Sequence, residues 1–163
     1  MLKMCFICAG DIQVPPPGWG AVEILVWEYY QNLKQLGVDV RIYNTKDLNS
    51  VVSEIKKEKF DFIHLQHEDL LPQLQQHLKD EKVAITAHCG WAENYEYYEP
   101  YYWRTFKSIL DSKHFIFALS ESIKQNYMNF GYDPNKIFIT KNGVNTDIYQ
   151  KTFEPRFPDR SIY

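Results

Sequence analysis

The sequence predicts an α/β fold of the doubly wound kind, an open parallel sheet with helices on both faces. Three observations point there. Strand-like and helix-like segments alternate from the first residues to about residue 140, the connections between them are short, and no internal repeat, low-complexity tract or linker interrupts the series. Alternation with short connections is the pattern of strand–helix–strand crossovers, which lay the strands parallel and the helices over the sheet. In such folds ligands bind outside the carboxyl ends of the strands. The loops that follow strands are therefore where chemistry is expected.

The elements follow in order. Leu2 to Ala9 is an apolar run that reads as a first strand rather than a signal peptide, being too short for one. A Pro/Gly-rich loop leads to about Trp19. From about Gly20 to Leu36, apolar residues recur at helical spacing (Val22, Leu25, Val26, Tyr29, Leu33, Leu36), and Gly37 stands where a helix C-cap belongs. Val38 to Tyr43 alternates as a second strand. Asn49 is expected to cap a short helix carrying Val51, Val52 and Ile55. Phe60 to Leu65 is a third strand, about Leu70 to Leu78 a third helix, and Lys82 to Ala87 a fourth strand. After an aromatic segment, about Tyr101 to Leu110 is helical and His114 to Leu119 is a fifth strand. Ser120 is placed to N-cap a helix reaching Phe130, which Gly131 stops, and Lys136 to Thr140 is the sixth strand.

Composition narrows the function. A chain of 163 residues fits one domain with a real core, and 45% hydrophobic with 24% charged residues is ordinary for a globular protein. Eighteen Lys and Arg against 21 Asp and Glu leave a net charge of −3, which excludes an electrostatic nucleic-acid binder. No apolar run reaches the roughly 20 residues a spanning helix needs. Three cysteines do not make a closed disulfide framework. Cys5 and Cys8 read as buried free thiols in a strand, Cys89 is the one near solvent, and the usage suits a reducing, cytoplasmic compartment. Aromatic residues are in surplus at 16%, with 12 Tyr, 10 Phe and 4 Trp.

Three regions carry candidate chemistry. The first is Pro15-Pro16-Pro17-Gly18-Trp19-Gly20-Ala21-Val22-Glu23, which follows a strand and opens a helix. Glycines there let a ligand approach the backbone, and the first helical N–H groups favour an anion such as a diphosphate. Glu23 takes the place of the third glycine of a dinucleotide fingerprint, and Tyr43-Asn44-Thr45 ends the second strand without a ribose-binding acid, so NAD is disfavoured. The second is the set of histidines at strand ends. His64 and His67 fall on opposite faces of their strand, which argues against a two-histidine metal site. His88 follows the fourth strand directly, beside Gly90, in the expected crevice; His77 and His114 read as surface or core residues. The third is the aromatic stretch from Trp91 to Trp103. Flat rings with polar edges suit sugar faces, and the interleaved charges are glutamates, unlike single-strand nucleic-acid binders. Trp91 and Tyr95 are the ligand candidates there, and the remaining tyrosines are expected to pack.

These motifs, with their order, resemble the N-terminal domain of the GT-B retaining glycosyltransferases of family 4. The resemblance rests on residues 15–23, on Phe-Asp-Phe-Ile-His-Leu-Gln-His at 60–67 and on Ile-Thr-Ala-His at 85–88. Ala-Leu-Ser-Glu-Ser at 118–122, Gly-Tyr-Asp-Pro-Asn-Lys-Ile at 131–137 and Lys-Asn-Gly-Val-Asn-Thr at 141–146 complete it. It implies a Rossmann-like domain over 1–150, a single GT-B half, and a tail at 151–163 leading towards an absent second domain. It also implies a hexosyltransferase-like enzyme that moves a sugar from a nucleotide-sugar donor to a glycan or other hydroxyl acceptor with retention, this half being inactive alone. Carried over by position, Gly18, Trp19, Gly20, Asn142 and Gly143 bind the donor, and His88 is the catalytic-site residue near the transferred sugar. His67, Trp91, Tyr95 and Ser120 are expected on the acceptor side. No cofactor or metal is implied, since the nucleotide-sugar is a substrate. Two departures stand out: Trp19 sits between the glycines, and Asn145 replaces the usual aspartate. The alternative reading is a non-catalytic module that binds a glycan or a partner. Peripheral membrane contact and self-association through an exposed cleft face remain compatible with either.

Overall fold

A computed structural model describes residues 1–89 and 91–146. The tail expected at 151–163 and Gly90 lie outside these residues. Six strands, β1 (Lys3–Cys8), β2 (Asp39–Asn44), β3 (Phe62–Leu65), β4 (Val83–Ala87), β5 (Phe115–Ala118) and β6 (Ile137–Ile139), form one sheet in the order β2-β1-β3-β4-β5-β6. Every pairing is parallel. The helices between them are α1 (Ala21–Gln35), α2 (Leu48–Glu58), α3 (Leu71–Leu78), α4 (Tyr95–Ser112) and α5 (Glu121–Asn129). Short 3-10 turns at Glu68–Leu70 and Pro134–Lys136 precede α3 and β6.

The strand order decides where the helices go. The step from β1 to β2 runs one way across the sheet, and every later step runs the other way. With right-handed crossovers, α1 then falls on one face and α2 to α5 on the opposite one. The two cores agree. Met4, Phe6 and Cys8 alternate with Cys5 and Ile7 along β1; the first set packs with Val26 of α1, the second with residues of α2 to α5. Both faces carry helices, as expected, but in a ratio of one to four.

Local signals explain most boundaries. α1 and α5 end alike: Gly37 and Gly131 take positive φ, and Val38 N–H reaches Leu33 O at 3.0 Å while Tyr132 N–H reaches Tyr127 O at 3.0 Å. This is the Schellman stop, which the left-handed residue after the C-cap makes available. Ser120 caps α5, its hydroxyl accepting Ile123 N–H at 3.1 Å. Two expectations need correction. Asp47, not Asn49, caps α2, because its carboxylate reaches Ser50 N–H at 3.2 Å. The fourth helix begins at Tyr95 rather than about Tyr101, so most of the aromatic stretch is helical despite Pro100 inside it.

That proline has a visible consequence. Eleven residues of straight helix span about 16 Å along the axis. The Tyr95 and Phe106 rings, eleven residues apart, lie 4.8 Å from each other. The helix is therefore bent, and Pro100 removes a ladder hydrogen bond between them.

Candidate functional site

The switch point of this sheet lies between β1 and β3, where the chain has gone left to β2 and then right, and crevices open at the carboxyl ends there. The loop after β1 is fixed to the end of β2. Asn44 Oδ1 accepts Gly10 N–H at 3.0 Å, and Asn44 Nδ2 donates to Ile12 O at 2.8 Å. Gly10 has φ 76°, and a Cβ there would lie 2.6 Å from the Thr45 backbone, so only glycine fits. The clamp carries the chain to Gly18, where a Cβ would meet nothing within 4 Å, and Trp19, which is 84% exposed. Gly20, with φ 148°, opens α1; a Cβ there would meet Glu23 Oε2 at 3.0 Å and Pro16 at 3.1 Å. The buried Glu23 carboxylate thus already lies at the first turn of α1.

On the α1 side of the sheet, between Tyr29 and Leu33 of that helix and the strands, lies a cavity of about 470 Å³. Phe6, Phe62 and Phe117 supply much of its apolar wall; Thr86, His88, Lys141 and Asn142 supply polar groups. His64 is buried in it, its Nε2 2.7 Å from Thr86 Oγ1 and its ring 5.0 Å from Phe117. Burial holds its pKa down at about 3, with His88 nearby adding to the effect. His88 is lowered to about 4, by burial first and then by His67. Both imidazoles are neutral at neutral pH. His88 Nε2 faces Gln66 Oε1 at 3.3 Å, and a carbonyl oxygen can only accept. In the tautomer that donates from Nε2 to this oxygen, His88 Nδ1 is left as a hydrogen-bond acceptor. Gln66 Nε2 and His67 Nε2 are buried with no hydrogen-bond partner among the described residues. Two donor-capable nitrogens and one acceptor nitrogen thus cluster at the carboxyl ends of β3 and β4. Of these three residues His88 lines the cavity, where its ring can meet a hydroxyl group. No grouping of three His, Cys, Asp or Glu suited to a metal occurs among the described residues.

A family model described as Glycosyltransferase Family 4 matches residues 41–148. The chain belongs to glycosyltransferase family 4. Among solved structures, two of the Anabaena protein HepE are similar, one in complex with UDP-glucose and one with UDP and glucose. The first has a TM-score of 0.59 at 11% identity, and the second 0.58 at 12%. Each alignment covers 91% of this chain but 46% of HepE, so this family 4 chain spans just under half the length of its structural relative. It has the fold of one half of a GT-B enzyme. No curated protein matches its sequence significantly.

Within this family 4 domain the expected site residues fall into separate places. His88 and Asn142 line the same cavity. Gly18, Trp19 and Gly20 stand at the mouth of α1 and do not line it, and His67 lies close enough to Asp11 of that loop to act on its carboxyl. Gly143 lies in a groove beside Glu28 and Tyr29 of α1. There Asn145 Nδ2 donates to both Glu28 oxygens at 3.3 Å. An aspartate at 145 would face that carboxylate, which gives the departure from the family pattern a physical reason. Trp91 packs on Tyr102 at 4.4 Å. Tyr95 packs on Phe130 at 5.0 Å and lines a third groove with Asn126 and Asn129. The Ser120 hydroxyl is engaged as the α5 cap.

Sequence reasoning missed Gln66, Thr86, Lys141 and Asn44. The signal for Gln66 was a polar residue directly after an apolar strand. For Asn44 it was the same position read only for the acid it lacks.

Proposed function

We propose that this chain is the acceptor-side half of a glycosyltransferase that moves a sugar from a nucleotide-sugar donor to a hydroxyl acceptor. The observation that carries the reading is His88: a neutral imidazole with a free acceptor nitrogen, held at the carboxyl end of β4 in the same cavity as Asn142. Such a group suits a sugar hydroxyl. The donor diphosphate would lie against the Gly18–Gly20 backbone at the start of α1, with Asn142 and Gly143 on its other side. A UDP-sugar is the donor class to test, because HepE was crystallised with UDP-glucose. Retention of configuration rests on the family resemblance. His67, Trp91, Tyr95 and Ser120 are assigned to the acceptor side. The domain is taken to reach about residue 150 and to continue towards a second domain that supplies the rest of the site. The free thiols of Cys5, Cys8 and Cys89 fit a reducing, cytoplasmic location. No helix among the described residues is long and apolar enough to cross a membrane.

Alone, this half binds weakly. A helix N-terminus contributes about 0.3–1 kcal/mol, up to ~2 when partly buried. Millimolar binding needs roughly −4 kcal/mol. The test is amide and histidine NMR on the isotope-labelled chain with UDP and with UDP-glucose, each at tens of millimolar. Gly18, Gly20 and Asn142 should shift with both ligands, and His88 only when the glucose is attached. Shifts at His88 with UDP alone, or none there with UDP-glucose, would overturn the assignment.

A second reading, a glycan-binding surface, is favoured by one observation. The groove of about 710 Å³ at the N-terminal end of α4 combines Tyr95, Tyr97 and Phe130 with the carboxamides of Asn126 and Asn129. Rings beside amides suit a pyranose. Glycan binding that Tyr97→Ala abolishes, with no response to nucleotide-sugar, would favour it over the enzyme.

A further inference from the structure

The polar groups on the α1 side of the sheet stand in register. β3 and β4 pair with His64 opposite Ala84. Alternation then puts His64 and Gln66 on the same face as Thr86 and His88. Two cross-strand contacts result: His64 Nε2 lies 2.7 Å from Thr86 Oγ1, and His88 Nε2 lies 3.3 Å from Gln66 Oε1. Gln66 stays in the sheet just past β3, because its N–H donates to Ile7 O at 2.9 Å. It is wholly buried and does not line the cavity, so a ligand there meets His88 and not Gln66.

The two partners differ in what they can decide. A threonine hydroxyl both donates and accepts, so it suits either tautomer of His64. A carboxamide oxygen only accepts, so it holds the tautomer of His88 that carries its proton on Nε2. The other end of the Gln66 carboxamide, Nε2, is buried with no hydrogen-bond partner among the described residues. Leaving a buried donor unmade is costly, and a methionine of the same length would fill the space without that cost. Packing alone does not account for the carboxamide.

We propose that Gln66 is a positioning residue: its carboxamide oxygen holds the His88 proton on Nε2 and so keeps Nδ1 bare, as the acceptor for a sugar hydroxyl. The proposal rests on the reading of His88 as the group that meets the donor sugar, and it adds the residue that decides what the ring offers. Turned end for end, the carboxamide would present an N–H to the ring and force the proton onto Nδ1. The ring would then offer a donor in place of an acceptor, and the hydroxyl would have to turn round. Gln66 does this from within the sheet, without touching the sugar.

The experiment is nitrogen NMR of the histidine rings in the isotope-labelled full 163-residue chain at neutral pH. A ring nitrogen that carries a proton and one that is bare resonate far apart, and a ring exchanging between tautomers averages them. The parent should show His88 with Nε2 protonated and Nδ1 bare. Gln66→Met keeps the length and removes the oxygen, so the two His88 signals should draw together. Gln66→Glu supplies an acceptor again, so the signals should stay apart with the proton on Nε2. Its carboxylate should also move the His88 titration midpoint up by about 1–3 pH units. A glutamine that only fills space would change stability in Gln66→Met and leave the tautomer alone. If Gln66→Met does not fold, the parent spectrum and Gln66→Glu keep the test decisive. A parent with Nδ1 protonated, His88 signals unmoved by Gln66→Met, or a midpoint unmoved by Gln66→Glu would each overturn the proposal. No donor is needed. A His88 tautomer that depends on Gln66 in a chain that ignores UDP-glucose removes the functional reading alone. A His88 that responds to UDP-glucose with a tautomer indifferent to Gln66 removes this proposal alone.

Discussion

The two faces of the sheet are built from different residues. Under the four helices α2 to α5, the strands present Ile7, Ile63, Leu65, Ile85 and Ile116, all at most 1% exposed. On the face that α1 alone covers, the same strands present Phe6, Phe62, His64, Thr86 and Phe117, with Phe138 at 48% exposure. Branched aliphatic side chains interdigitate with helices and exclude voids. Flat rings pack against one another without a roof, as Phe62 with Phe117 at 6.4 Å and Phe115 with Phe138 at 5.9 Å. The lesson is a division of labour: one face holds the fold together, and the other leaves room for a cavity with a histidine pair at its base.

The sharpest way to break this comparison is to truncate one residue on each face. Leu74→Ala, on the closed side, should cost about 2–5 kcal/mol, as deletions from a packed core do. Phe138→Ala, on the open side, should cost about 1 kcal/mol or less, because half the ring is already in water. Urea denaturation of both variants measures this, and equal costs would show that the faces are packed alike.

A smaller effect probes the polar floor of the open face. Thr86→Val keeps the shape and leaves His64 Nε2 buried without its partner, which should cost about 1–3 kcal/mol. His64→Phe in the same background should recover part of that loss. If Thr86→Val is neutral in a melt, the His64–Thr86 bond does not support the floor.

Acid stability sharpens the contrast further, because the two sides respond to pH in opposite directions. Unfolded histidine takes up a proton near 6.5, whereas folded His64 and His88 resist until about 3 and about 4. Their contribution is complete above pH 6.5 and is lost as the pH falls towards 4. Glu68 behaves inversely. Its folded carboxyl titrates near 7 against an ordinary 4.5, so its contribution is complete below pH 4.5 and is lost as the pH rises through 7. His64→Phe should reduce the slope of stability against pH between 4 and 6.5 by about one proton, and Glu68→Gln should remove the decline towards neutrality. Urea midpoints across pH 4 to 8 record both. The least effect is expected at Trp19→Ala, within about 0.5 kcal/mol of the parent by thermal melt, since the ring is 84% exposed.

Much of the closed face was legible in the sequence. Its strands are short apolar runs between turn signals, and Gly37, Gly131 and Ser120 mark helix ends by chemistry that acts over three or four residues. Such local rules do not need the tertiary structure. The start of α4 was not legible, because Pro100 and its tyrosines read as irregular chain until ring contacts with Phe106 and Phe130 hold the bent turn in place. Among the candidate residues, His88 was singled out by its place after a strand. Gln66, Thr86 and Glu68 were not, because what distinguishes them is a partner 22 or more residues away: His88 for Gln66, His64 for Thr86, Tyr102 and Tyr127 for Glu68. No spacing rule reports such pairs.

The strand order also sets a timetable for synthesis. β1 is made first among the strands yet sits inside the sheet, paired on one side with β2 and on the other with β3, where Cys5 lies opposite Ile63. A chain growing from the ribosome at roughly 5–20 residues per second carries β1 for several seconds before its second neighbour exists. Throughout that interval, five consecutive residues destined for burial, Met4 to Cys8, present an unsatisfied edge. That interval closes when β3, which ends at Leu65, is available to pair with β1.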